Sequence, residues 1–578
     1  MGPMRHIHIL AASAVLVATA CGAPRNADAP ATGPDPLFPA QNRPDVRGTH
    51  GAVSADHPLA AQAGLAVLRE GGTAMDAVVA MAGVLAVVRP HMNGVGGDAF
   101  GIFYDGATGQ VTALNGSGRS GALAQPSFYR DAGHDAVPET GALSVSVPGA
   151  VAAWVDAHQR YGRLPFARLL DPAVGYARDG FPVSTRLASD FEAQSGSLDD
   201  AGRAQYLPGG TPPAVGSLLK NPALARTLEG IARSGKAGFY AGPVAERLGA
   251  FLEAEGGHVR ASDLAAHTST WVDPLQGDYL DHTFFVLPPN TQGMAQLALF
   301  GMARSFAFAG MEHNGADYLH HLIEMKKLAF ADRDRWAADP EHADIPLAAL
   351  LDADYLAARA ARIDPAHAAT EVAPGIDEPS AAPGSASDGR DDSGDTVYLT
   401  AVDQWGNAVS WIQSLYAGFG SGLFEPETGI MLQNRGALYT LEDGHPNQVA
   451  PGKRPYHTLT PMLAMKDGAL AFTLGTPGGD SQTQSLIQIT QNLLLFGMTP
   501  QEAIEAPRFR SMEGTGVVVE DRIAPAVRAR LQAMGHEVRV IHGWTATFGG
   551  AQMIRVEPGS GTLAVGSDPR REAYGLAY

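Results

Sequence analysis

The 578-residue sequence contains a single cysteine, Cys21. That scarcity excludes an internal disulfide framework and any cysteine-rich metal site. Positive charge is also short. The chain carries 41 Lys and Arg against 60 Asp and Glu, a formal charge of -19, which disfavours nucleic acid or an anionic membrane surface as partner. The apolar run 74–88 contains Asp76 and stops before Pro90. It falls short of the roughly 20 residues a bilayer span needs and reads as a core helix. Several catalytic signatures are missing as well. His536-Glu537 lacks the second histidine of a zinc-binding helix, His320-His321 has no ligand spacing around it, and no G-x-S-x-G elbow occurs. Neither a metal nor a cofactor is expected.

What is present is a globular chain with 45% hydrophobic content, enough to bury a large core. Arg5 precedes an apolar run, 9–16, followed by Val17, Ala18, Thr19, Ala20 and Cys21. This is the order of a secretory signal, so residues 1–20 read as a signal peptide and export is expected. Two readings of Cys21 stay open: lipid attachment at a lipobox-like site, or ordinary cleavage after an A-x-A site. Residues 21–44, rich in Pro, Ala, Asp and Asn, read as a disordered spacer. Beyond it, apolar periodicity and start and stop residues predict helices over 58–70, 149–160, 243–255 and 318–331. Strands are predicted over 100–104, 110–114 and 283–287.

A second low-complexity stretch, 369–394, is rich in Pro, Gly and Ser and cannot bury enough apolar surface to offset its ordering entropy. It runs directly into the β-rich segment 396–402, a turn at 403–407 and a returning strand at 408–414. Such a stretch is either a linker between domains or a segment severed from the strand after it. If the bond before Thr396 is cut, a threonine at the head of a core strand gains a free α-amine beside its own hydroxyl. That is the arrangement of a threonine nucleophile with an amine base, and an α-amine of pKa about 7.7 to 8 accepts a proton near neutrality. Length and spacing do not decide between the two.

The motifs do. His57-Pro58-Leu59-Ala60, Gly71-Gly72-Thr73-Ala74-Met75-Asp76-Ala77, Gly94-Val95-Gly96-Gly97-Asp98 and Val147-Pro148-Gly149 stand in the first part of the chain. Lys327 to Arg333, Gly452-Lys453-Arg454-Pro455, Thr476-Pro477-Gly478-Gly479 and Ser567-Asp568-Pro569-Arg570 stand in the second. In this order they resemble the γ-glutamyltranspeptidase family of N-terminal nucleophile hydrolases, from about residue 51 to residue 578. The resemblance implies an α+β fold, a four-layer αββα sandwich built from two chains of one cleaved precursor. The heavy chain would be 45–395, with 369–395 as a flexible pre-cleavage segment, and the light catalytic chain 396–578. The two would remain together as a heterodimer.

By motif, Thr396 matches the family's nucleophile, released by cleavage after Asp395. Ser414 matches a second hydroxyl near it, and Gly478-Gly479 the backbone pair that receives the oxyanion. The recognition pocket departs from the family pattern. Leu438 stands where members that bind a substrate α-amine carry aspartate, Tyr416 replaces a polar residue, and Arg435 fills another pocket position. His457-Thr458 replaces a pair of serines. The carboxylate-binding arginine is displaced, with Ser117 at its ungapped position and Arg119 two residues on. The connection 440–452 is shorter than in members with a lid. These changes resemble the cephalosporin-acylase-like branch. They imply a small-molecule amide substrate, an acyl-enzyme on Thr396, and hydrolysis of γ-glutamyl-like or glutaryl-like amides favoured over transpeptidation. The alternatives are a true γ-glutamyltransferase or glutathione hydrolase, and an uncleaved, non-catalytic envelope binding protein. Membrane association would come only through a lipid on Cys21, and the location would be the periplasm or cell envelope.

Overall fold

The computed structural model describes residues 42–376 and 395–578. The signal-like run, Cys21 and most of the 369–394 stretch lie outside the described residues. Helix Ala74–Val88 is buried at every position, which its nearly continuous apolar sequence demands. The one acid in it, Asp76, closes the N-terminus. Thr73 and Asp76 form a capping box, and the Asp76 carboxylate also accepts from the backbone N–H groups of Arg163 and Leu164 at 3.0 and 3.1 Å. Helix Pro58–Arg69 packs beside it, close to the predicted span.

Two seven-stranded sheets form the centre. One runs in the order Tyr574–Ala577, Ala52–Ala55, Asp395–Val402, Ala408–Tyr416, Asp98–Tyr104, Val111–Gly116, Thr270–Val272. The other runs Val46–Gly48, Leu563–Ser567, Gln552–Val556, Ala469–Gly475, Met462–Lys466, His282–Val286, Leu275–Tyr279. Neighbours within each are antiparallel.

Side chains alternate across each strand. Val397, Leu399 and Ala401 pack with Val78, Leu85 and Trp154 of the helices outside the first sheet. Tyr398 and Val402 pack with Leu463 and Ile554 of the second sheet. Met462, Phe472 and Met553 face outward to Leu299, Leu322 and Ile487 of helices Gly293–Ala303, Ala316–Trp336 and Ser481–Leu494. Three apolar cores separated by two sheets give the layer order helix, sheet, sheet, helix.

Helix Ala316–Trp336 extends beyond both ends of the predicted 318–331. Several of its charged residues are buried and paired, Lys327 with Glu324 at 2.7 Å and Arg333 with Asp480 at 2.7 Å, so apolar periodicity alone under-reads it. Among the described residues no helix is long and apolar enough to cross a membrane.

The two sheets meet closely near Gly475. A Cβ there would stand 2.2 Å from the ring of Tyr398, whose hydroxyl is held by Ser410 Oγ at 2.7 Å. Gly475→Ala is therefore expected to lower stability by about 1–3 kcal/mol, as overpacked cores do, measured by denaturant unfolding. A loss below about 0.5 kcal/mol would mean that the ring yields freely.

Candidate active site around Thr396

Strand register builds this site. Thr396 pairs with Ser414 on the returning strand, and Ser414 pairs with Asp98 on the next, so two hydroxyls and a carboxyl form a row across the sheet. All three are buried. A β-bulge falls between Asp395 and Thr396, because Asp395 pairs with Tyr416 while Thr396 pairs with Ser414. Bulges re-aim the chain beside them, and Tyr416 at φ +82° carries the left-handed backbone that a non-glycine residue adopts only under constraint.

The bulge brings the bond before Thr396 onto the Ser414 hydroxyl. Thr396 Oγ1 donates to Ser414 Oγ at 3.0 Å, and Ser414 Oγ donates to the Asp395 carbonyl oxygen at 2.8 Å. A hydroxyl has one hydrogen and two lone pairs. Those lone pairs meet three donors: Thr396 Oγ1, the Tyr416 N–H at 2.7 Å and Arg435 Nη2 at 3.2 Å. Asp395 is held on its other side as well, its Oδ1 accepting from Arg571 Nη2 at 2.9 Å.

The glycine pair lies between strand Ala469–Gly475 and helix Ser481–Leu494. Gly478 has φ +122°, and a Cβ there would stand 2.3 Å from Ser481 Oγ. The Gly478 and Gly479 carbonyls accept from the Ser481 and Gln482 N–H groups, turning the amides the other way. Among the described residues neither amide N–H meets an acceptor. Polar links join this turn to Thr396. Gln292 Nε2 donates to Gly479 O and Thr458 O, Arg435 Nη1 donates to Thr458 Oγ1, and Arg435 Nη2 reaches Ser414.

A cavity of about 590 Å³ lies beside this cluster, with Tyr416, Leu438, Tyr456, Thr458, Arg333 and Asp480 in its lining, whereas Thr396, Ser414, Gly478 and Gly479 do not line it. Residues Thr440, Leu441, Glu442, His445 and Asn447 of the 440–452 connection wall one side. Tyr416, Leu438 and Thr458 thus meet at one cavity. Arg435 is fully buried beneath them and stacks on the Tyr416 ring at 4.6 Å. Arg119 is not in the lining. It grips Glu341 at 2.9 and 2.8 Å and the Gly452 carbonyl at 3.0 Å. Ser117 and His457 are enclosed, bonded to each other at 2.8 Å.

Asp98 escaped the sequence reading as a site residue, since it carries no spacing cue of its own. Burial pushes its carboxyl up to about 7, against the Gly118 N–H, the Arg435 charge and the Gly149 N–H. His457 Nε2 lies 3.3 Å from Asp98 Oδ2. Burial, then Arg435 and Arg454, holds this imidazole neutral far below its ordinary range. Tertiary structure also gathers His320, Glu324 and His536, with ligand-type atoms within 4.8 Å of one another. His320 Nδ1 and His536 Nε2 are 2.8 Å apart, and the Glu324 carboxylate is taken by Lys327 Nζ and the Ala369 N–H.

Two antiparallel sheets between helical layers, with a buried threonine heading a central strand, define the architecture of the N-terminal nucleophile amidohydrolases. Residues 60–578 match the family described as Gamma-glutamyltranspeptidase, and the chain belongs to that family. It is 37% identical to the Glutathione hydrolase-like YwrD proenzyme of Bacillus subtilis (strain 168), over 91% of this chain and 98% of that protein. It is 38% identical to the Oxamate amidohydrolase proenzyme of Klebsiella pneumoniae, over 92% of this chain and 99% of that protein. The crystal structure of cephalosporin acylase from Bacillus halodurans superposes with a TM-score of 0.86 at 34% identity, covering 95% of this chain and 99% of the acylase.

The Asp98 carboxyl carries a pH signature. The folded chain holds its proton up to about 7, against an ordinary 3.8, so the folded state binds more protons than the unfolded one between those values. Stability contributed by this group is then lost as pH rises from about 4 to about 7 and is constant above. Relative to Asp98→Asn, the wild type should be more stable at pH 4.5 than at pH 8. Denaturant midpoints across that range measure the difference, and parallel curves would assign Asp98 an ionised state throughout.

Proposed function

We propose that the chain is a self-cleaving amidohydrolase in which Thr396 is both the new N-terminus of the light chain and the nucleophile. One observation carries this reading: the Thr396 hydroxyl, the Ser414 hydroxyl and the Asp395 carbonyl form a single hydrogen-bonded relay across the bond to be cut. In processing, Thr396 Oγ1 bonds to the Asp395 carbonyl carbon, the C–N bond breaks, and the hydroxyl proton ends on the released amine. Water then cleaves the ester, its OH completing the Asp395 α-carboxylate and its hydrogen returning to Thr396 Oγ1. In turnover the free α-amine takes the Thr396 hydroxyl proton and passes it to the leaving amine of the substrate. The Gly478 and Gly479 N–H groups receive the oxyanion, and Ser414 orients the nucleophile.

The acyl pocket argues for substrates without an α-ammonium. Leu438 supplies only apolar contact, and of the four acids that line the same cavity Asp334 and Asp480 are bound by Arg333, Asp135 is exposed and Glu442 is half-buried on the 440–452 wall. Burying an ammonium without a carboxylate partner costs several kcal/mol. An acyl group bearing a carboxylate would instead be drawn by the charge of Arg435, which lies buried beneath Tyr416 and Thr458 of the cavity wall. The name of the Klebsiella relative, an amidohydrolase of oxamate, fits a carboxylate-bearing acyl group. Glutaryl amides are the longer case. Hydrolysis is favoured over transfer because the short 440–452 connection forms a wall of the cavity and leaves the acyl-enzyme open to water. The signal-like run after Arg5 supports export, either with a lipid on the Cys21 thiol or with ordinary cleavage after the A-x-A site.

Thr396→Ala should leave one chain on a denaturing gel, whereas the wild type gives two, the smaller beginning at Thr396 by N-terminal sequencing. An intact wild-type chain with full activity would remove this reading. On processed enzyme, kcat/KM for a glutaryl anilide should exceed that for the γ-glutamyl anilide by tenfold or more, about 1.4 kcal/mol. Leu438→Asp should narrow the gap. A wild-type preference for the γ-glutamyl compound would show that another residue binds its ammonium.

A further inference from the structure

Asp395 is pinned at two points. Its carbonyl accepts from Ser414 Oγ at 2.8 Å, and its side chain accepts from Arg571 Nη2 at 2.9 Å. Both members of the ion pair are buried, with side chains 3% and 4% exposed, and a charge-assisted bond in such surroundings fixes geometry tightly. Pinned on both sides of its Cα, Asp395 cannot swing its carbonyl away from Thr396. Attack on a carbonyl is sensitive to misplacement on the scale of an ångström.

Arg571 has a second carboxyl in its field. Asp56 is completely buried, and among the described residues neither of its carboxyl oxygens meets a hydrogen-bond donor. Burial pushes it up to about 7, against the charges of Arg89 and Arg571. The aliphatic stem of Arg571 lies against Gly550, where a Cβ would come within 2.7 Å of it. With Nη1 donating to Met92 Sδ at 3.4 Å, the stem and the guanidinium are both held, which makes the arginine a fixed partner for Asp395.

We propose that Arg571 is a positioning residue for self-cleavage: it clamps Asp395 while Ser414 holds the Asp395 carbonyl. This rests on the reading that the chain is cut before Thr396. The arginine belongs to maturation rather than to turnover.

The test monitors light-chain release from freshly purified, full-length precursor by denaturing gel and intact mass. Asp395→Asn and Arg571→Met should each slow release at least tenfold, Arg571→Lys less, and the Asp395→Asn/Arg571→Met double variant no more than either single one. Unfolding temperatures in a Thr396→Ala background, where cleavage is blocked, separate slow cleavage from poor folding. Asp395→Asn should slow release while keeping its unfolding temperature within a few degrees. A wild type that never cleaves removes the self-cleavage reading and the clamp together. A cleaving wild type matched in rate by Asp395→Asn and Arg571→Met overturns the clamp alone.

Discussion

The hydroxyl of Ser414 is the point on which the arrangement around Thr396 turns. It has one hydrogen to give, and that hydrogen goes to the Asp395 carbonyl. Its lone pairs then have to satisfy Thr396, the Tyr416 amide and Arg435. Each of those donors is delivered by a different piece of the fold. Thr396 comes by pairing of adjacent strands, the Tyr416 amide by the bulge and its left-handed backbone, and Arg435 from the short 3₁₀ turn Arg435–Leu438. Because a hydroxyl has so few bonding positions, a shift in any one donor changes what the others can hold. The buried row from Thr396 to Asp98 is a shared constraint rather than a set of separate contacts.

Buried charge surrounds this row. Arg508, Asp568, Arg570 and Glu520 form a fully enclosed network, with Arg508 to Asp568 at 2.7 Å and Arg570 to Asp568 at 3.1 Å. Taking such groups out of water offsets most of their mutual attraction, so networks of this kind contribute more to uniqueness of geometry than to stability. Here the network fixes the segment that carries Arg571. The Ser567-Asp568-Pro569-Arg570 block, one of the sequence features by which the family is recognised, acts in the fold as a mount for the next residue.

How much was legible in the sequence depended on whether a signal was local. Helix Ala74–Val88 and the hairpin Asp395–Val402 to Ala408–Tyr416 arise from apolar runs and turn residues. Even Asp76, which argued against a membrane span, became intelligible only once its partners Arg163 and Leu164 were in place. Thr396 could be singled out by motif, not by periodicity. The sandwich itself was legible only through that resemblance, since strand order in the sheets has no local code. Pairing across long separations was invisible. Asp395 and Arg571 are 176 residues apart and His320 and His536 are 216 apart. Arg119 and Arg435 could not be ranked by position either. The structure binds Arg119 to Glu341 and sets Arg435 beneath the cavity.

The sheets interleave the beginning and the end of the described chain. Val46–Gly48 pairs with Leu563–Ser567, Ala52–Ala55 pairs with Tyr574–Ala577, and Ser54 touches Ser567 across 513 positions. Strand Asp395–Val402 sits between the early strand Ala52–Ala55 and the late strand Ala408–Tyr416. Neither sheet can close before nearly all of the polypeptide has been made, and loop closure over such separations is slow. The fold therefore contains its own timer: until the last residues of the chain are made, Ala52–Ala55 lacks its outer partner Tyr574–Ala577 and Arg571 is not yet beside Asp395. The set of contacts around Thr396 and Asp395 is complete only when the whole molecule is present to fold.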